Sequence, residues 1–232
     1  TPLTVLAGFV ETMSQLPLSE AERKRVLALM AAQAQRMQSL VADLLTLAKL
    51  EGSPRPPADR WTRVADLMKH AQADAGTLSE GRHALHFDGG GEAQIAGSEA
   101  ELQSALGNLV VNAVRYTPPG GRIDVQWAVR DDGWGVLSVA DTGIGIGREH
   151  LPRLTERFYR VDGSRSRDTG GTGLGLSIVK HVVQRHGGEI DIHSEPGRGS
   201  RFALLLPPSR VRQEPATAID RAVPGPGSAA NR

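Results

Sequence analysis

The sequence predicts an α+β protein in two parts, a helical hairpin followed by a mixed α/β domain. Three observations carry this. Apolar side chains recur between residues 26 and 47 at alternating steps of four and three, the run EGSPRPPADR at 51–60 cannot continue a helix, and beyond it helical stripes are interleaved with short period-two segments. With 232 residues, 39% of them hydrophobic, the chain can bury one large core or two modest ones. Its 27 basic and 26 acidic residues leave a net charge of +1, so no global field attracts nucleic acid or an anionic membrane. The absence of cysteine excludes disulfides and thiolate metal sites and fits a reducing compartment such as the cytosol. No apolar run approaches the roughly 20 residues needed to cross a bilayer.

Taken in order, TPLTVLAGFVETM places Leu3, Leu6, Val10 and Met13 at helical spacing, and LPLSE then supplies a turn. Val26, Met30, Gln33, Met37, Leu40, Leu44 and Leu47 form a heptad seam, with Gln33 its one polar layer. Two helices leave much of that seam uncovered, so the hairpin is expected to be half of a four-helix bundle completed by a second copy of the chain. The expected division is a hairpin over 1–52, a linker over 53–60, a second domain over 61–210 and a disordered tail over 211–232, where apolar residues are too few to pack.

Within the second domain a helix is expected near 62–75, with short strands around 83–87 and 93–96. A strong helix follows Ser98, which forms a capping box with Glu101. Ile123, Val125, Trp127 and Val129 alternate with polar residues, DDGWG turns, and VLSVAD returns to Asp141 as the second strand of a hairpin. Residues 142–172 read as a long mobile loop with local helix. Leu176–His186 reads as a helix stopped by Gly187 and Gly188, followed by the strands EIDIHS and RFALLLP.

Three segments bear residues suited to chemistry. DTGGTGLGLSIVK at 168–180 runs glycines into a helix, a form that offers backbone N–H groups to phosphate. Its spacing fits neither familiar phosphate loop: Leu176 stands where a dinucleotide fingerprint needs glycine, and Lys180 is too late for a Walker lysine. Taken alone, it could equally be a flexible cap. On the helix after Ser98, Asn108, Asn112 and Arg115 share a polar face, able to offer carbonyl oxygens to a hard cation and a donor to phosphate, although a solvated face has the same pattern. DTGIGIG begins where a strand ends, so Asp141 can accept a hydrogen bond from an amino group in a pocket, or can simply open a tight turn. His83 and His86 are too far out of phase on a strand to share a metal, and no histidine lies in the hairpin.

The ordered combination NLVVNAVRYT, DTGIGIG, RFYRVD and GGTGLGLSIVK, behind a heptad hairpin, resembles the catalytic core of the sensor histidine kinases of two-component systems, and TPLTVLAGFVETM is most like their phosphate-regulon branch. The resemblance covers roughly residues 1–207. It implies a Bergerat-type α/β sandwich that binds ATP and Mg2+ between the asparagine helix and a glycine-rich lid. By that resemblance Asn112 holds the metal with Asn108 beside it, and Arg115 and Tyr116 contact the nucleotide. Asp141 takes the adenine amino group over a floor shaped by Gly143 and Gly145. Gly171, Thr172, Gly173, Leu174, Gly175 and Leu176 close over the triphosphate, and Phe158 anchors the lid.

The resemblance further implies a homodimer and a response regulator receiver domain as partner, with this part cytoplasmic in an inner-membrane sensor. No nucleic-acid partner and no membrane contact from this stretch are expected. The family's acceptor histidine would lie just upstream of Thr1, and Thr1 matches the position that orients water when the partner is dephosphorylated. Two other readings stand beside this one. An ATP hydrolase of the gyrase or MutL pocket type would use a carboxylate such as Glu101, and a dimerising module would bind ATP without transfer.

Overall fold

A computed structural model describes residues 2–15, 17–161 and 171–213, with only the backbone of residues 2 and 3. Helices α1 (Pro2–Gln15) and α2 (Glu20–Gly52) form the hairpin. The serine of LPLSE does more than turn: Ser19 caps α2, its backbone N–H donating to the Glu22 carboxylate at 2.8 Å while Glu22 N–H donates to Ser19 Oγ at 3.3 Å. Hydrogen bonds from the Ser19 side chain and backbone hold the Glu22 carboxyl below its ordinary value.

After residues 53–60 come β1 (Trp61–Arg63), α3 (Val64–Ser79), β2 (Ala84–Asp88), β3 (Gln94–Ala96) and α4 (Glu99–Tyr116). Then follow β4 (Arg122–Val129), β5 (Gly135–Asp141), α5 (Gly175–Arg185), β6 (Glu189–Glu195), β7 (Gly199–Leu206) and β8 (Val211–Arg212). The main sheet has the order β2-β4-β5-β7-β6, parallel between β2 and β4 and antiparallel elsewhere. Inward residues such as Ile123, Val125, Leu137, Val139 and Leu204 pack with Leu67, Leu102, Leu106, Leu109 and Ile178 of the three helices. A small antiparallel sheet, β1-β3-β8, sits apart from it.

Three expectations are corrected here. The third helix starts at Val64, because Trp61–Arg63 pair with β3 instead. The expected tail loses its first two residues to the fold: Val211 pairs with Ile95, and the Arg212 guanidinium lies 4.2 Å over the Trp61 ring. Residues 214–232 lie outside the described residues. The capping box at Ser98 is only half formed. Ser98 Oγ accepts the Glu101 N–H, but the Ser98 N–H donates to Nε2 of His186 at 3.2 Å, and Glu101 turns away to Arg185. His186 is wholly buried with its other ring nitrogen on the Val182 carbonyl, and burial lowers its pKa, so the ring is neutral.

The two parts are not merely tethered. Leu47, the last member of the heptad seam, is buried with Leu50 in the core of the second domain. Arg185 of α5 donates to the carbonyls of Leu50, Ser53 and Pro54, taking up acceptors that the end of α2 leaves open, and it pairs with Glu101 at 3.0 Å. Arg210 does the same for Pro56 and Pro57.

Candidate active site

The site is assembled at one end of the helix layer, where α4, the start of α5 and the segment after β5 meet. Asn108 donates its Nδ2 to the Ser104 carbonyl at 2.8 Å, which fixes the amide. Its Oδ1 lies only 2.6 Å from where a Cβ on Gly175 would stand, so a side chain there would strike the asparagine. Asn112, one turn on, is half-buried. Helix α5 opens with the fully buried Leu174 as N-cap and no side-chain cap, so its first-turn N–H groups are available to an anion.

Asp141 closes β5 opposite Ser200. Its Oδ1 accepts the Gly143 N–H at 2.8 Å, while burial pushes its carboxyl above the ordinary value, against hydrogen bonds from Gly143 and Ser200. The loop beyond is tied down at both sides: Ile144 N–H donates to the Tyr116 carbonyl, and Gly145, at φ +66°, passes so close to Glu195 that a Cβ would lie 2.0 Å from its carbonyl oxygen. A depression of about 800 Å³ opens beside Asp141, lined also by Arg148, Leu151, Ser194, Ser200 and Arg201. Neither Asn108 nor Asn112 lines it.

The glycine-rich segment bridges this end of the domain to the hairpin. Gly171 accepts a hydrogen bond from Arg160 at 2.7 Å beside Arg115 and Tyr116. Thr172 Oγ1 accepts from Leu174 N–H and donates to Asp43 of α2 at 2.6 Å. Phe158 donates its backbone N–H to the Gly173 carbonyl at 2.9 Å, but the residue is 57% exposed, so the connection to the lid runs through backbone rather than through a buried side chain. Its φ of +64° is unusual for a bulky residue and marks strain beside the site. Leu176 packs against the core from the first turn of α5.

The structure thus brings Asn108, Gly171, Thr172, Gly173, Leu174, Gly175, Arg115 and Tyr116 together, and places Asp141, Gly143 and Gly145 at the other end of Tyr116 through its carbonyl. Thr1 and residues 162–170 lie outside the described residues. Glu101, the carboxylate that a hydrolase would need, is committed to Arg185 at the linker. Among the described residues no cluster of three histidine or acidic side chains could hold a metal. His83, buried between Ser79 and the Thr117 carbonyl, is structural. Sequence reading missed Asp43, Arg157, which pairs with Glu51, and Arg185. In the sequence each is one more charged residue in a helix or loop.

Two family models match the chain. Residues 97–210 match the histidine kinase-, DNA gyrase B- and HSP90-like ATPase domain, and residues 1–53 match the His Kinase A phospho-acceptor domain. The chain belongs to the sensor histidine kinases of two-component systems. Among its relatives is the phosphate regulon sensor protein PhoR of Pseudomonas aeruginosa, 50% identical over 92% of this chain and 48% of that protein. The sensor-like histidine kinase SenX3 of Mycolicibacterium smegmatis is 34% identical over 89% of this chain and 54% of its own. The chain spans about half the length of these curated relatives. Of solved structures, full-length ShkA in complex with AMPPNP superposes with a TM-score of 0.63 at 26% identity, over 89% of this chain and 43% of that one. The mycobacterial kinase MprB gives 0.56 at 28% identity, over 64% and 97%.

Proposed function

We propose that this chain is the catalytic part of a phosphate-regulon-type sensor kinase, which transfers the γ-phosphoryl group of ATP to a histidine just upstream of Thr1 and then to an aspartate of a response regulator. The observation that carries this is the pairing of Asn108 with a glycine-cleared, uncapped start of α5, across from a half-buried carboxylate at the end of β5. In this reading residues 1–52 are the dimerising hairpin, 53–60 the linker and 61–212 the nucleotide domain, closed by β8. The domain lies on the cytoplasmic side of a membrane-anchored protein.

Asp141 accepts from the adenine amino group, with Gly143 and Gly145 holding the loop clear of the base. Asn112 and Asn108 offer amide oxygens to Mg2+, which when bound draws charge from the transferring phosphoryl group. Arg115, Tyr116 and the backbone N–H groups from Gly171 to Leu176 orient the phosphates, and Phe158 ties that segment down. Transfer forms a bond from the acceptor imidazole nitrogen to phosphorus as the bond to the ADP oxygen breaks, the electron pair leaving with ADP. Thr1, outside the described residues, matches by resemblance the position that orients a water for hydrolysing the regulator's phosphoryl group.

The test uses the chain extended upstream through the acceptor, incubated with γ-labelled ATP and Mg2+. Acid-labile label is expected, and Asn112→Ala is expected to lose both the label and the Mg2+ dependence of nucleotide affinity while keeping its dimer. ATP consumed with no acid-labile label would assign the chain to the hydrolases.

The hairpin leaves Leu27, Leu29, Val41, Leu44 and Leu45 exposed, apolar surface that a second copy would cover. Leu44→Glu places an unpaired charge in that interface. Sedimentation is expected to show a monomer that still binds nucleotide; an unchanged dimer would sink the bundle.

A further inference from the structure

Helix α2 carries a second stripe beside its heptad seam. Leu47 and Leu50 of this stripe are buried against the nucleotide domain, Asp43 receives the Thr172 hydroxyl, and Arg36, half-buried, lies about two turns before Asp43 on the same face. Arg36 therefore stands on the face of α2 that Thr172 reaches, close enough to Arg160 for their charges to interact. On the domain side, Arg160 donates to the Gly171 carbonyl, and Arg115 Nη1 lies 3.0 Å from where a Cβ on Gly171 would stand.

Arg115 and Arg160 thus meet at Gly171, and Arg36 adds its positive charge to Arg160 from the hairpin side. Burial, and after it the positive charge of Arg36, hold Arg160 below its ordinary value, with Tyr116 opposing and Arg115 adding to the shift. Among the described residues neither Arg36 nor Arg115 has a carboxylate partner. Gathering like charges this way is unfavourable until an anion arrives between them, and a guanidinium fork matches phosphate oxygens. In the kinase reading, Arg115 and the first-turn N–H groups of α5 are taken up by the phosphates that ATP and ADP share. Arg36, on the hairpin side, is left for the terminal phosphate.

We propose that Arg36 is a specificity and positioning residue that closes the phosphate end of the site from the hairpin, recognising the γ-phosphate of a nucleoside triphosphate. Resting on the kinase reading, this makes a triphosphate, and not a diphosphate, favour docking of the domain on α2. Arg36 exchanges no proton in the transfer; its charge offsets that of the group being moved.

Calorimetric titration of this chain with AMPPNP and with ADP, each with Mg2+, tests the assignment without turnover. In Arg36→Gln the affinity for AMPPNP is expected to fall by about tenfold or more while that for ADP changes less than twofold. Arg36→Lys is expected to recover part of the loss, since it keeps the charge without the fork. Equal losses for both nucleotides, or no loss for either, overturn the role of Arg36 alone. A parent chain that binds neither nucleotide overturns the kinase reading and this assignment together.

Discussion

Replacing Arg185 by alanine is expected to lower the unfolding free energy by about 3–5 kcal/mol and to release the hairpin from the nucleotide domain. The guanidinium is 11% exposed and grips both carboxylate oxygens of Glu101, itself 17% exposed, at 3.0 and 3.1 Å. Removing it leaves Glu101 buried and unpaired. The carbonyls of Leu50, Ser53 and Pro54 lose their donor in the same step. Urea unfolding measures the first effect, and proteolysis within residues 53–60 measures the second. Adding Glu101→Gln should recover part of the stability, because the stranded charge goes with it. A loss below about 1 kcal/mol would mean that the pair is no stronger than an exposed one.

Asp141→Asn is expected to separate binding from stability. An amide keeps an oxygen for the Gly143 N–H, but it also turns an amino group toward the adenine amino group, donor against donor. Nucleotide affinity should fall by about 3 kcal/mol, on the order of 100-fold. The stability of the free protein should move the other way. Burial raises the folded-state pKa of Asp141, so between the ordinary carboxylate value and that raised value the folded protein holds a proton that the unfolded chain has given up. Stability therefore falls as pH rises through that window and stays lower above it. The asparagine variant lacks this contribution, and its melting temperature at neutral pH should equal or exceed that of the parent. A variant that melts earlier and binds normally would remove Asp141 from the site.

The candidate site was legible where its chemistry is carried by short motifs. Asn108 and Asn112 share a helix face by period alone, Asp141 ends an alternating strand, and the glycines from Gly171 to Gly175 precede a helix. Phe158 shows the limit of that reading. Its place in RFYRVD marks the lid, but its exposure and left-handed backbone follow from how the chain crosses Gly173. At Ser98 the pattern of a capping box was present, yet His186, distant in the sequence, supplied a better-placed acceptor, and Glu101 was drawn to a charge it could not have anticipated.

The sequence by itself determined the two-part architecture, the heptad seam, the β4–β5 hairpin and the order of the site motifs, since periodicity, capping and chain-breaking residues act over one or two turns of chain. Tertiary structure alone decided that Val211 and Arg212 join a sheet, that Leu47 leaves the seam for another core, and that Asp43, Arg36 and Arg185 face the nucleotide domain. Those outcomes depend on the approach of surfaces more than a hundred residues apart, where burial and charge pairing between the surfaces give each residue its role.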